Sequence, residues 1–362
     1  MKWESSAMIR RALTQKCALA KVPVSGTFEL TPRCNLRCRM CYVRLTPEQM
    51  APIGRERTAK EWLDFAAEAK DAGMVFLLLT GGEPTLRSDL AEIYEGLAGM
   101  GLSISINTNG TLFTPELKEL FHRLPPAQIN ITLYGVNREQ YGELCGNPSA
   151  YDHMLDAIHW LKSENILVHL NATMYPGNLD RFEAFEEFAK AEELELRVTT
   201  YCFPPARRGE CKEFTRLEPE IAGELTVKDV LFREGVEVVR RRAATLEQQL
   251  NSCKLDIGDP LACMAAKSQF WITWDGRMVP CGMLNEPVVY PFSNGFIEEW
   301  KNLVETTAAI RLCPDCTGCE EKSTCMNCAA VTYTETGRFD GKPEYACRMN
   351  RAYRAALEKY SK

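Results

Sequence analysis

The chain is 362 residues long, 45% hydrophobic and 25% charged, with a formal net charge of −6. It holds no apolar run of about 18 residues, so no membrane-spanning helix is expected, and Met1-Lys-Trp-Glu-Ser-Ser lacks the apolar core of a secretory signal. No basic stripe suggests nucleic acid, and Arg240-Arg241-Arg242 reads as a solvated helix face, which leaves a cytoplasmic protein without membrane or nucleic-acid partners.

Residues 1–24 read as an N-terminal extension. From about 25 to 200, short apolar runs alternate with helical periodicity. Gly26 to Leu30 reads as a strand, Ala59 to Ala72 as a helix with Trp62, Phe65, Ala66 and Ala69 on one face, and Met74 to Leu79 as a buried strand. Helix and strand then alternate: Leu90–Met100, Leu102–Ile106, Pro115–Phe121, Ala127–Leu133, Tyr151–Lys162, Leu167–Met174, Leu179–Ala191 and Leu194–Thr200. This alternation predicts an α/β fold with parallel strands and crossover helices. The units are fewer than a closed barrel needs, so a partial (β/α)6 TIM-type barrel is expected over 25–215. A helical bridge over 216–252 follows, containing one long helix from Thr226 to Leu250. Residues 253–362 form a cysteine-rich C-terminal domain with few long helices.

The 16 cysteines are many for a chain without a secretory signal, and metal or redox use is the better reading than disulfides. Cys34, Cys38 and Cys41 follow the first strand in the spacing Cys-x3-Cys-x2-Cys. The loop offers three thiolates and withholds a fourth. A structural zinc site would be closed by protein ligands, and an electron-transfer cluster would normally have four cysteines. A [4Fe-4S] cluster held by this loop keeps one iron open to a substrate. Gly81-Gly82-Glu83-Pro84 follows the second strand. Its glycines let backbone approach a ligand, and its carbonyls with Glu83 suit an ammonium group.

Together these residues resemble the radical S-adenosylmethionine superfamily, over roughly residues 20–215. The resemblance implies that Cys34, Cys38 and Cys41 hold the cluster and that the open iron takes the amino and carboxylate groups of S-adenosylmethionine. It implies that Gly81, Gly82 and Glu83 bind the methionine amino group and that Tyr42 contacts the adenine. Asn109, Thr132 and Asn171 are candidates for sugar or methionine contacts. Thr132 and Tyr134 stand where the family often has Ser and Asp.

A second cysteine set runs Cys263-x12-Gly276-x4-Cys281, then Cys316-x2-Cys319-x5-Cys325-x2-Cys328-x18-Cys347. Trp271 to Val279 reads as a hairpin with Asp275-Gly276 as its turn. Zinc suits the Cys-x2-Cys pairs as well as iron–sulfur does. The whole pattern resembles the SPASM extension of radical S-adenosylmethionine enzymes, with x2 rather than x3 between Cys325 and Cys328. It implies two auxiliary [4Fe-4S] clusters, three in all. Cys316, Cys319, Cys325 and Cys347 would hold the outer one, and Cys263, Cys281 and Cys328 the inner one. The inner fourth ligand is Cys253, Cys313 or an open site. Cys17, Cys145 and Cys211 read as packing residues; Cys202, just past the sixth strand, is a candidate hydrogen-atom donor.

These resemblances imply a radical enzyme, with a ribosomally made peptide as substrate (thioether, carbon–carbon crosslink or epimer). An external donor of flavodoxin or ferredoxin type would supply the electron. Only about 25 residues precede the first strand, so the peptide is expected to be recognised by the barrel itself or by a separate peptide-recognition protein. The alternatives are a formylglycine-forming sulfatase maturase, a small-metabolite or tetrapyrrole enzyme, and a non-catalytic iron–sulfur or zinc module. The sulfatase-maturing family places an Asp base directly after the second hairpin cysteine, where this chain has Gly282.

Overall fold

The computed structural model describes all residues except 1, 206–213, 253–259, 262, 317–318, 320, 322–323, 326 and 361–362. Helix α1 (Lys2–Ala20) precedes strand β1 (Ser25–Glu29), and a one-turn α2 (Pro47–Met50) lies in the loop before α3 (Ala59–Asp71). The barrel continues with β2 (Phe76–Thr80), α4 (Leu90–Gly99), β3 (Ser103–Thr108), α5 (Pro115–Arg123) and β4 (Gln128–Thr132). It ends with α6 (Arg138–Cys145), α7 (Ala150–Ser163), β5 (Val168–Thr173), α8 (Phe182–Ala191) and β6 (Glu195–Thr199). Neighbouring strands from β1 to β6 pair in parallel in chain order. The expected partial (β/α)6 barrel is therefore the architecture observed.

Local chemistry explains these helices. Thr58 caps α3 in a reciprocal box with Glu61, which satisfies two otherwise orphaned N–H groups. The buried face of α3 includes Trp62, Phe65, Ala66 and Ala69, as the periodicity predicts. Trp62 stacks on Phe28 at 5.0 Å and Phe65 on Phe292 at 4.7 Å.

The long helix expected from Thr226 to Leu250 is instead two, α9 (Pro219–Glu234) and α10 (Val236–Ser252). The chain turns between them at Gly235, where φ is +83°. Both then pack with α14 (Glu344–Glu358) around Val227, Val230, Val239, Ala356 and Leu357.

The later region does not stand apart from the barrel. β7 (Gln269–Ile272) pairs in parallel with β1, and β8 (Met278–Val279) returns antiparallel beside it. This is the predicted hairpin, yet it extends the barrel's own sheet, whose order is β6-β5-β4-β3-β2-β1-β7-β8. The expectation of few long helices there is also corrected. After the short α11 (Pro291–Asn294), α12 (Phe296–Ala308) packs on α3, and α13 (Ala329–Thr336) precedes the 15-residue α14. The Phe296 N–H donates to Glu68 at 2.9 Å, and the Trp300 indole donates to the Lys21 carbonyl at 2.7 Å. The boundary expected at 253 falls outside the described residues. Among the described residues no helix is long and apolar enough to cross a membrane.

One buried carboxyl gives a stability prediction. Glu186 on α8 is 3% exposed and its Oε1 has no hydrogen-bond partner among the described residues. Burial first, then the charge of Asp229, pushes it up to about 7, with Arg233 opposing. The folded state therefore binds this proton more tightly than the unfolded chain, and its contribution to stability falls as pH rises from about 4.5 to 7. Glu186→Gln is expected to remove about 2 kcal/mol of that pH dependence. Urea midpoints of wild type and variant at about pH 5, near the lower end of the window, and about pH 8, above it, check this. Parallel pH profiles would disprove it.

Candidate active site

The cysteine loop leaves β1 at its C-terminal end and is tied to the next strand's loop. The Gly82 N–H donates to Thr31 O at 2.7 Å and the Glu83 N–H to Arg33 O at 2.8 Å. Arg33 forks onto Glu56 at 2.7 and 2.9 Å, and the Thr31 hydroxyl bonds the same carboxylate. A Cβ at Gly82 would lie 2.3 Å from Arg33 O, so this junction needs glycine.

All three loop thiols are half-buried and accept or share hydrogen bonds. Cys34 Sγ accepts from the Leu36 N–H at 3.4 Å and from Asn109 Nδ2 at 3.8 Å; Cys41 Sγ accepts from the Arg44 N–H at 3.3 Å. Burial pushes the Cys34 thiol up to about 12. A hydrogen bond with Cys145, then burial, holds Cys38 well above the ordinary thiol range. The Tyr134 hydroxyl also bonds Cys38. Cys34 and Cys38 each lie within electrostatic reach of Cys41. Among the described residues no three ligating side chains are drawn together as tightly as a bound metal would hold them. The donor set nevertheless fits a cationic cluster: desolvated thiols gain most from positive charge, and N–H···S bonds stabilise them once ionised.

Asn109 and Glu83 do more than the motif announces. Asn109 Nδ2 donates to Asn35 Oδ1 at 2.8 Å, and its Oδ1 accepts from the Thr111 N–H at 2.9 Å and the Thr111 hydroxyl at 2.6 Å. Its amide thus positions the cysteine loop. Glu83 is fully buried and accepts from the Thr85 N–H (3.1 Å), Thr85 Oγ1 (2.7 Å), Thr108 Oγ1 (2.8 Å) and the Asn109 N–H (2.7 Å). It binds the loop after β2 to the loop after β3. Burial still raises its carboxyl despite these donors.

Tyr42 is half-buried directly after Cys41. Thr132 and Asn171 are register partners on β4 and β5, both half-buried near the strand ends. Cys202 is buried, its Sγ donating to the Met174 carbonyl at 3.5 Å, and burial pushes the thiol up to about 11.

Sequence reasoning missed the belt beyond Cys202. The Tyr201 hydroxyl and Arg216 Nη1 each meet Glu335 Oε1 at 2.5 Å, and Arg216 Nη2 meets Oε2 at 2.9 Å. The Arg216 guanidinium lies 3.7 Å from the centroid of the Tyr345 ring. The belt ties the exit of β6 to the helices that carry Cys347. These long-range pairs leave no local pattern. The Cys145–Cys38 contact left none either, and Cys145 reads as packing.

Among the C-terminal cysteines, Cys316 lies within electrostatic reach of Cys313, Cys325, Cys347 and Cys319, and Cys328 within reach of Cys263. Cys313, one candidate for the inner set, is buried beside Cys316, whose N–H donates to its carbonyl at 3.0 Å. Cys281, at the end of the hairpin, accepts from the Met283 N–H at 3.5 Å. Cys253, the other candidate, and Cys211 lie outside the described residues.

A profile of the radical SAM superfamily matches residues 28–189. The chain is 27% identical to the AdoMet-dependent heme synthase of Methanosarcina barkeri over 338 residues, 89% of this chain and 95% of that protein. It is 25% identical to the PqqA peptide cyclase of Rhizobium meliloti over 264 residues, 72% of this chain and 67% of that protein. The crystal structure of Streptococcus suis SuiB bound to S-adenosylmethionine shares the fold, with a TM-score of 0.67 at 18% identity over 95% of this chain and 79% of that one. The matched span carries both the cysteine loop that closes β1 and the Gly-Gly-Glu-Pro turn that closes β2, so residues 28–189 form a radical S-adenosylmethionine superfamily domain.

Proposed function

We propose that this enzyme modifies a ribosomally made peptide by radical chemistry, forming a thioether or carbon–carbon crosslink or inverting a stereocentre. The observation that carries this is the similarity to a PqqA peptide cyclase over 72% of the chain. A sheet whose β6 edge has no further strand beside it among the described residues, rather than a closed barrel, also suits an extended substrate.

Cys34, Cys38 and Cys41 would hold the [4Fe-4S] cluster, and Gly81, Gly82 and Glu83 would line the methionine end of S-adenosylmethionine. Tyr42, Thr132 and Asn171 would face its adenosyl part, with Asn109 holding the loop beneath. Once bound, the pair supplies a 5′-deoxyadenosyl radical able to take hydrogen from an unactivated C–H bond. The chain's own work is positioning and exclusion of water. Burial keeps Cys202 a neutral S–H, the form that can return a hydrogen atom.

Cys316, Cys319, Cys325 and Cys347 would hold an outer auxiliary cluster, and Cys263, Cys281 and Cys328 with Cys253 an inner one. Arg37 and Arg39 are exposed on the cluster loop and form no ion pair among the described residues. Their charge suits an acidic donor of flavodoxin or ferredoxin type.

The test is anaerobic reconstitution with S-adenosylmethionine and dithionite, offering the short peptides encoded beside the gene. The expected result is 5′-deoxyadenosine together with a changed peptide mass. 5′-Deoxyadenosine with every peptide unchanged removes the peptide reading. Iron analysis near 12 atoms per chain supports three clusters, whereas about four with zinc present removes the auxiliary pair. The heme synthase relative, matched over 95% of its length, favours a second reading, in which a tetrapyrrole is turned over instead. The formylglycine reading loses support: a Cβ at Gly282 would lie 2.6 Å from the Trp271 ring, leaving no room for an Asp base there.

A further inference from the structure

The inner face of the barrel is polar where such barrels are ordinarily filled by branched apolar side chains. Side chains alternate along a strand. Ile106, Ile129, Ile131, Val168, Leu170 and Leu196 belong to the apolar core, and the residues between them face inward. One row across the strands pairs Asn107 with Asn130, Asn130 with His169, and His169 with Glu195. The next row towards the strand ends pairs Thr132 with Asn171, and Asn171 with Arg197.

The lower row is wired together. Asn130 Nδ2 donates to Asn107 Oδ1 at 2.8 Å, and Gln128 Nε2 donates to Asn130 Oδ1 at 2.5 Å. Gln128 Nε2 also lies 3.1 Å from His169 Nδ1, and His169 Nε2 lies 3.4 Å from Glu195 Oε2. Because Gln128 offers an N–H to Nδ1, the proton of the neutral ring sits on Nε2 and points at Glu195. The ladder therefore orients Glu195, and Glu195 Oε1 in turn accepts from Arg197 Nε at 3.2 Å.

That single bond leaves the fork of Arg197 open. Its side chain is 56% exposed, and among the described residues its Nη atoms donate no hydrogen bond. Arg10 of α1 lies 4.7 Å over the Phe76 ring and within electrostatic reach of Arg197. Arg10 has no carboxylate partner among the described residues. Two neighbouring guanidinium groups thus have one carboxylate, Glu195, bonded to Arg197 alone, and a planar anion would complete both the charge and the hydrogen bonds.

We propose that Arg197, held by Glu195 and the His169 ladder, binds a carboxylate of the substrate inside the barrel, in the same row as Thr132 and Asn171. This rests on the reading that the strand ends form the radical site. The carboxylate could come from an acidic peptide side chain or from a tetrapyrrole propionate.

Equilibrium binding to the unreduced holoenzyme distinguishes these sources. One probe pair is a short glutamate-bearing peptide and its glutamine counterpart; the other is coproporphyrin III and its tetramethyl ester. Wild type is expected to favour the acid of one pair by about tenfold or more, and that pair identifies the source. Arg197→Gln should erase the preference, Arg197→Lys should keep part of it, and binding of the neutral partners should not move. No acid preference in either pair overturns the proposal. So does a matching loss of S-adenosylmethionine affinity in Arg197→Gln, which would make the arginine a cofactor ligand. Because binding is measured without reduction, a missing 5′-deoxyadenosine product would count against the radical reading alone.

Discussion

Serine in place of Cys34, Cys38 or Cys41 should abolish 5′-deoxyadenosine formation, whichever of the three is changed. Each thiol is separately supported. Cys34 accepts N–H bonds from Leu36 and Asn109, Cys41 accepts one from Arg44, and Cys38 bonds Tyr134 and Cys145. Three ligands are already one fewer than an electron-transfer cluster normally has, so losing one leaves a loop that cannot hold the iron. The overall fold should survive, because the loop is pinned through the Thr31 and Arg33 carbonyls and the Arg33–Glu56 fork rather than through its sulfurs. Iron content, the cluster's visible absorbance and chromatographic 5′-deoxyadenosine measure the effect, with far-ultraviolet dichroism confirming the fold. A variant that keeps both iron and product would disprove the ligand assignment. Asn109→Ala should give the milder version, with cluster affinity down by about 10–100-fold, because it removes an orienting neighbour and not a ligand.

Glu83→Ala is expected to be the most destabilising change near the site. The carboxylate is fully buried and receives four hydrogen bonds, two from Thr85 and one each from Thr108 and Asn109. Removing it strands those donors without water, at about 1–3 kcal/mol each before relaxation. A net loss of roughly 3 kcal/mol or more is expected. The loops after β2 and β3 would then separate, and Asn109, whose N–H is held by Glu83, would release Asn35 and Cys34. Apo-protein urea unfolding measures the stability, and iron uptake measures the loop. Glu83→Asp, with a shorter reach, should recover part of the stability and little of the iron uptake. Normal stability with lost S-adenosylmethionine affinity would instead mean that Glu83 serves only as a cofactor ligand.

Much of this was legible because it is local. Cysteine spacing within one loop, two glycines after an apolar strand, the Thr58–Glu61 box and the Trp62, Phe65, Ala66, Ala69 stripe are all set by neighbours a few residues apart. Strand–helix alternation implied a parallel sheet because a crossover helix must connect such strands. What escaped was non-local or balanced between states. Gly235 reads as one weak position in a helical pattern, costing about 1 kcal/mol; packing of α9 and α10 with α14 turns it into a break. Asn109 reads as a ligand candidate, and only the folded loops show its amide occupied by Asn35 and Thr111.

The sequence by itself determined the chemistry on offer: three thiolates with a vacancy, a glycine turn to meet a ligand, a later set of cysteines, and a sheet of parallel strands to carry them. Short-range spacing suffices for that, since a motif's ligands are held by its own few residues. Only the tertiary structure decided that β7 docks on β1, that Tyr201, Arg216 and Glu335 tie the barrel's exit to α13 and α14, and that Arg197 is left with an open fork beside Glu195. Each of these depends on which strands share an edge or which helices share a core. The burial of apolar surface over the whole chain decides that, and no local pattern records it.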